Sequence, residues 1–186
     1  ISLPYGHMVV DIGGGTTDIA IISLGGIVAS NSLKIAGDDY NEAIIKFVRK
    51  KYNLLIGEPT AENIKIQIGS VYPRKEEISM EVKGRNLLNG LPTRITVTSE
   101  DTREATLEVT AQVIDAIHGV LEITPPELVS DIAEQGIILT GGGSLLYGLD
   151  ILVKEHTGIE ANVSDGALES VALGAGKSVS FANRVN

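Results

Sequence analysis

Two apolar runs of this chain each end in three consecutive glycines, and no other feature limits the fold so tightly. Met8-Val9-Val10-Asp11-Ile12 runs into Gly13-Gly14-Gly15, and Ile137-Ile138-Leu139-Thr140 runs into Gly141-Gly142-Gly143, about 130 positions later. A short apolar run cut off by glycine reads as a buried strand entering a tight loop. The stretch between the two carries helical and strand patterns of its own. The spacing therefore predicts one α/β unit, split in sequence, with a smaller α+β unit inserted. The expected division is 1–36 and 118–186 for the first unit and 37–117 for the insertion.

Local patterns fill in this outline. Thr17 to Ser23 and Ile27 to Ile35 are β-branched runs joined by Gly25-Gly26, which with the first strand predicts an antiparallel meander. From Asp38, read as an N-cap, Tyr40, Ile44, Phe47 and Val48 fall at helical spacing, and Arg49, Lys50 and Lys51 close the last turn. A second helix is expected from Thr60, with Ala61, Ile64 and Ile68 on one face. Ile78, Met80 and Val82, then Ile95 and Val97, alternate with polar residues as half-exposed strands do. One long helix is expected from about Ser99 to the stop at Pro125-Pro126. Beyond the second triple glycine, a helix reaching Gly158, a short strand near Val163 and a last helix from about Ala167 complete the outline.

Composition narrows the function classes. The chain has 24 Asp+Glu against 15 Lys+Arg, a formal charge of −9, with five Tyr, two Phe and no Trp. That argues against a phosphate-backbone binder and against a platform for stacking bases. With no cysteine there is no disulfide, thiolate chemistry or Cys-ligated zinc, which fits a cytosolic protein. No apolar run approaches the ~18 residues of a membrane span, and an opening at Ile1 rather than Met reads as a piece of something longer. The histidines (His7, His118, His156) have no metal-like spacing.

Candidate chemistry gathers at the glycine loops. In Asp11-Ile12-Gly13-Gly14-Gly15-Thr16-Thr17-Asp18, glycines free to adopt positive φ bring backbone N–H groups close to a ligand, and two threonine hydroxyls add donors. Phosphate oxygens accept from all of them. Asp11, at the strand tip, is placed to hold a hydrated Mg²⁺ bridging those phosphates. A tight turn alone would need the glycines but not the polar residues on both sides. Leu139-Thr140-Gly141-Gly142-Gly143-Ser144 repeats the strand–glycine–helix pattern, with Ser144 as a cap and an anion-friendly loop. Glu62 and Lys65, at i and i+3, share a helix face, the usual spacing of a solvated surface pair. Gly174-Ala175-Gly176-Lys177-Ser178 ends like a phosphate-binding P-loop, but Val171 stands where the first glycine is required.

Several of these runs together resemble a known family. The segment Met8 to Asp18 looks like the second phosphate loop of bacterial actin homologues. Ala36-Gly37-Asp38, Tyr52-Asn53-Leu54-Leu55-Ile56-Gly57-Glu58, Thr60-Ala61-Glu62 and Gly90-Leu91-Pro92 continue the likeness. Thr124-Pro125-Pro126-Glu127-Leu128-Val129-Ser130-Asp131-Ile132 is its most specific run, and Leu139 to Leu146 completes it. The chain resembles the MreB family of rod-shape-determining proteins, with its Mbl paralogues, over nearly its whole length.

The resemblance implies an actin-like (ribonuclease H-like) ATPase fold, of which this chain looks like the C-terminal domain (domain II) only. It implies ATP or ADP with Mg²⁺ as ligand. Gly13, Gly14, Gly15, Thr16 and Thr17 would embrace the phosphates, with Asp11 positioning Mg²⁺ through water. Glu62 and Lys65 would lie beside adenine and ribose, and Gly141, Gly142, Gly143 and Ser144 would form the adenosine loop. No catalytic group lies within the chain on this reading, since the water-positioning carboxylate and the first phosphate loop belong upstream of Ile1. Pro59 departs from the family, which commonly has Arg there. The implied function is half of an ATP-binding cytoskeletal protein, polymerising into membrane-associated filaments that guide cell-wall synthesis and rod shape. The alternative is a filament-contact and partner-docking module without turnover of its own. Implied partners are further copies of itself and a RodZ-like membrane protein, with no nucleic acid. The implied location is the cytoplasmic face of the bacterial membrane, contacted mainly through the other half of the protein. The two glycine loops should face one cleft.

Overall fold

The computed structural model describes residues 5–167. The helix expected from about Ala167 lies outside them beyond that residue, as does the segment Gly174–Ser178. Strands β1 (His7–Ile12), β2 (Thr17–Ser23) and β3 (Gly26–Leu33) form the expected meander. Met8, Val10 and Ile12, alternate residues of β1, are fully buried, so the run behaves as a strand with one face in the core. The β2–β3 link is Leu24-Gly25 rather than Gly25-Gly26. Both residues have positive φ (51° and 77°), matching the twist of a two-residue hairpin.

Helix α1 (Gly37–Tyr52) begins one residue before Asp38, with Ala36 as its N-cap. The cap is made by Asp39, whose Oδ2 accepts the Ala36 N–H at 2.9 Å. The helix ends on Asn53 in the left-handed region, its N–H bonded to the Arg49 carbonyl at 3.1 Å. A two-residue strand, β4 (Leu54–Leu55), precedes α2 (Glu58–Ile68), which begins two residues ahead of Thr60 because Pro59 fits a first helical turn. Strands β5 (Ser79–Asn86) and β6 (Pro92–Thr98) pair antiparallel, and β4 adds to β5 to make a three-stranded sheet.

The single helix expected after Ser99 is two, α3 (Ser99–Ala105) and α4 (Leu107–Glu122). They break at Thr106, which has φ −103° and ψ 6°. Thr102 and Thr106 turn their hydroxyls back on the carbonyls of Ser99 and Thr102, at 2.7 and 2.8 Å, in the way that bends helices. Helix α5 (Pro126–Gln135) was not expected: Pro126 ends one helical pattern and opens another, since a proline at the first helical position loses no hydrogen bond. Strand β7 (Ile137–Thr140) leads into a 3₁₀ turn over Gly142–Leu145, then α6 (Leu149–Thr157), which ends on left-handed Gly158 as expected. Strand β8 (Ala161–Val163) follows.

The larger sheet has the order β3-β2-β1-β7-β8, with β1, β7 and β8 parallel. Helix α4 packs on β2 and β3, and α5 on β1. Two apolar cores result. One is built on the five-stranded sheet with Val113, Ile117 and Val120 of α4; the other joins Ile44, Val48, Leu54, Ile64, Val82 and Val97. Helix α1 serves both, with Tyr40 in the first core and Ile44 and Val48 in the second. The Tyr40 hydroxyl lies 3.2 Å from Thr110 Oγ1 on α4, and burial pushes its phenol up to about 12. Among the described residues no helix is long and apolar enough to cross a membrane.

Candidate functional site

Parallel pairing places both glycine loops at one edge of the sheet. Asp11 of β1 stands opposite Thr140 of β7, so the two strands run in step and release their loops side by side. In open α/β sheets this carboxyl-terminal edge is where ligands bind. On its other side Asp11 pairs with Asp18 of β2. Burial, and then the negative charge of Asp18, raise the Asp11 carboxyl above the usual carboxylate range. A half-buried carboxylate of this kind is one that a cation would stabilise.

The second loop is shaped by contact with β1. Gly141 has φ 79°, and a Cβ there would stand 2.5 Å from Asp11 Oδ1 and from the Ile12 carbonyl. A Cβ on Gly143 would collide with the Ile12 side chain. These glycines let the loop lie against the end of β1. Ser144 is not the helix cap that its position implies: it sits inside the 3₁₀ turn, is buried, and donates its hydroxyl to the Gly141 carbonyl at 2.6 Å.

The first loop is different. Gly13, Gly14 and Gly15 are absent from the positive-φ residues, so left-handed backbone is not why glycine stands there. The Gly13 N–H bonds to the Thr16 carbonyl at 3.0 Å. A Cβ on Gly15 would meet nothing within 4 Å, and one on Gly14 only Asp38 Oδ1 at 3.8 Å. Gly14, Gly15 and Thr16 are exposed. Thr17 is fully buried and donates to the Ile35 carbonyl at 2.7 Å, so its hydroxyl holds the meander rather than facing outward. Thr16 Oγ1 lies 3.1 Å from Asp18 Oδ2.

Helix α1 closes on this loop. The Gly37 and Asp38 N–H groups bond to the carbonyls of Gly13 and Gly14 at 2.9 and 2.8 Å. Lys65 of α2 donates to the Gly37 carbonyl at 3.1 Å and to Glu62 Oε2 at 2.8 Å. The Glu62–Lys65 pair is thus a tie between helices beside the first loop; the Lys65 side chain is only 12% exposed. Burial by itself would raise the Glu62 carboxyl, but donors from Lys65 and Asn41 outweigh it and hold it below the usual range.

Sequence reasoning missed Asn41. It is buried on α1, and its amide donates to Glu62 at 2.5 Å and to Glu58 at 3.1 Å, while its Oδ1 has no partner. The available signal was a polar residue on the stripe Gly37, Asn41, Ile44, Val48, at helical spacing and otherwise without a polar side chain. A cavity of about 270 Å³ lined by Val71, Leu107, Ile114 and Leu152 includes none of the glycine-loop residues. Its walls also hold His156, Asp115 and Arg103, the last already paired with Glu100, so the loop junction is the better candidate for an anion.

The family model described as MreB/Mbl protein matches residues 1–186. The chain belongs to the MreB/Mbl family. It is 51% identical over 179 residues to the cell shape-determining protein MreB of Escherichia coli (strain K12), which covers 96% of this chain and 52% of that protein. With the cell shape-determining protein Mbl of Bacillus subtilis (strain 168) it shares 50% over 175 residues, 93% of this chain and 52% of the relative. This member of the family therefore spans about half the length of the curated relatives it matches. The crystal structure of MreB5 of Spiroplasma citri bound to ADP superposes with a TM-score of 0.88 at 38% identity, covering 99% of this chain and 57% of that one. The MamK double helical filament superposes with a TM-score of 0.71 at 27% identity, over 91% and 55%. The fold is actin-like and α/β.

Proposed function

We propose that this chain is the nucleotide-facing C-terminal half of an ATP-binding, filament-forming cell-shape protein. Residues 1–36 and 118–186 would form the nucleotide-binding subdomain, and 37–117 the inserted one. The observation that carries the nucleotide reading is the first glycine loop. Gly14 and Gly15 are exposed, lack positive φ and have room for a side chain, so the chain's own packing does not demand glycine there. A ligand lying against the backbone does. An anion suits that position, at the end of parallel strands and beside the first turn of α1.

On this reading Gly14, Gly15 and Thr16 meet phosphate oxygens, Glu62 and Lys65 border the nucleoside, and Gly141 to Gly143 form the opposite rim. Mg²⁺, when bound, would neutralise phosphate charge. Among the described residues no group of three or more His, Cys, Asp or Glu is gathered for a metal. Asp11 alone fits a role through water, with phosphate oxygens as the remaining ligands. Support for the nucleotide also comes from MreB5 of Spiroplasma citri, crystallised with ADP and with AMPPNP.

Among the described residues one glycine loop and Asp11 face the phosphates on this reading, which favours binding without turnover by this chain alone. Self-association follows the example of the MamK filament. A RodZ-like membrane partner is expected on the subdomain that carries both loops, placing the protein at the cytoplasmic face of the membrane. A pull-down with a RodZ cytoplasmic domain tests that docking. Titration of the chain with ADP and Mg²⁺ tests the nucleotide reading. Saturable binding, weakened at least tenfold (~1.4 kcal/mol) by Gly15→Val, is expected; no heat and no protection from unfolding would sink it.

A further inference from the structure

The two edges of the five-stranded sheet are unlike. Strand β8 ends one side with three residues, while β3 ends the other with eight, Gly26-Ile27-Val28-Ala29-Ser30-Asn31-Ser32-Leu33. Among the described residues no strand pairs with the outer side of β3. Natural sheets blunt such an edge with charge, proline or a very short strand. Strand β3 has no charge and no proline, and Ile27 and Val28 are 53% and 45% exposed. Its irregularity is confined to the turn end. Ile21 pairs with Ala29 and Ile22 with Ile27, which leaves Val28 as the extra residue and Ala29–Leu33 in regular register with β2. Ala29–Leu33 thus offers an uncharged edge of backbone donors and acceptors.

We propose that this edge pairs with the same edge of a second copy, antiparallel about a two-fold axis, to make a continuous ten-stranded sheet. An exposed edge of this kind, hydrated in the lone chain, is a ready template for another strand. The chain carries a net charge of −9, so most self-contacts would bring like charges together. This strand escapes that penalty because it carries none. Its nearest charges are Lys34 beyond its end and Asp18 across on β2, which is already bonded to Ser32. A two-fold axis normal to the sheet keeps the α4-covered face of both copies on the same side. Side chains alternate between faces, so the residue on the axis must oppose itself. The middle of the regular stretch is Asn31. With Asn31 opposite its copy, Ala29 meets Leu33 and Ser30 meets Ser32. The contact is isologous and closed, so it yields a dimer, or couples two filaments, without extending one.

The lack of cysteine makes the test direct. Directly opposed residues of an antiparallel pair have Cα atoms about 4.5–5.5 Å apart, within disulfide reach. Asn31→Cys is the single thiol of its chain. Under mild oxidant it is expected to form a covalent dimer at least tenfold faster than a control thiol at exposed Glu134. Sedimentation of the parent chain is expected to show concentration-dependent doubling of mass. Ser30→Pro and Val28→Lys, both at exposed edge positions, should remain monomeric with circular dichroism unchanged. A monomeric parent at every concentration overturns the proposal. So do cross-linking of Asn31→Cys no faster than the control, or edge variants that still dimerise.

Discussion

Lys65 Nζ lies 2.8 Å from Glu62 Oε2 and 3.1 Å from the carbonyl of Gly37, so one ammonium ties α2 to the first turn of α1. Gly37 in turn bonds to Gly13. The position of the first glycine loop thereby depends on side chains some fifty residues along the chain. Glu62→Ala removes the acceptor shared by Lys65 and Asn41, both largely buried. We expect a loss of about 1–3 kcal/mol in urea unfolding, together with weaker nucleotide binding.

The two loops should respond oppositely to the smallest substitution. Gly143→Ala forces a methyl into Ile12, and we expect a clear drop in Tm, in the range of ~1–3 kcal/mol for overpacking. Gly15→Ala has room and an ordinary φ, so its stability should hold or rise by up to about 1 kcal/mol. Its nucleotide affinity should nevertheless fall. Thermal unfolding with and without ADP separates the two effects.

Asp11 and Glu62 should shape the pH profile with opposite signs. The Asp11 carboxyl is raised, so its ionisation costs folded-state stability: no penalty exists below the unfolded value near 3.8, and the full penalty is present above the raised folded value. Asp11→Asn is therefore expected to be more stable than the parent at pH 7, with the advantage fading in acid, and to bind Mg²⁺-nucleotide more weakly. The Glu62 carboxyl is lowered, so its contribution is present above the unfolded value near 4.5 and lost as pH falls through the lower folded value. Glu62→Gln should flatten that acid limb. Urea titrations from pH 3 to 7 read both.

Asp101 should matter more than the lysine it pairs with. Its carboxylate accepts Lys51 at 2.5 Å, the Tyr52 hydroxyl at 2.6 Å and the Thr98 N–H at 3.0 Å, and it starts α3. Asp101→Ala leaves these donors unpaired around a buried position, with an expected loss of about 2–4 kcal/mol. Lys51, half exposed, should cost under ~1 kcal/mol when replaced by Ala.

Turnover should be absent from the isolated chain. Hydrolysis needs an in-line water and charge stabilisation around the γ-phosphate. Among the described residues, one exposed glycine loop and one carboxylate supply a single wall of the phosphate site. Each missing preorganised group costs ~10²–10³ in rate. Phosphate release is expected to match background; turnover at a full-length relative's rate, abolished by Asp11→Ala, would overturn this.

What the sequence determined by itself was whatever depends on near neighbours. The meander, the alternation of β5 and β6, and the stop at Gly158 follow from apolar period and from glycine's access to positive φ. The proposed split arrangement rests on two strand–glycine units that bracket a stretch with its own periodicity. Misreadings fell where a local signal is two-sided. Pro126 stops one helix and starts another, and Thr106 lies just ahead of an apolar stripe at helical spacing while its hydroxyl and backbone turn the helix. At the candidate site, Asp11 and both glycine loops stood out by type and spacing, and Glu62 and Lys65 only through the family resemblance, but their division of labour did not. Only the tertiary structure decided that Thr17 and Ser144 spend their hydroxyls on carbonyls, that Gly141 and Gly143 are glycines for the sake of β1, and that buried Asn41 holds Glu62. Each of those facts depends on a partner brought close by the parallel pairing of β1 with β7 or the packing of α1 on α2. A sequence read in one dimension carries no distance between such residues.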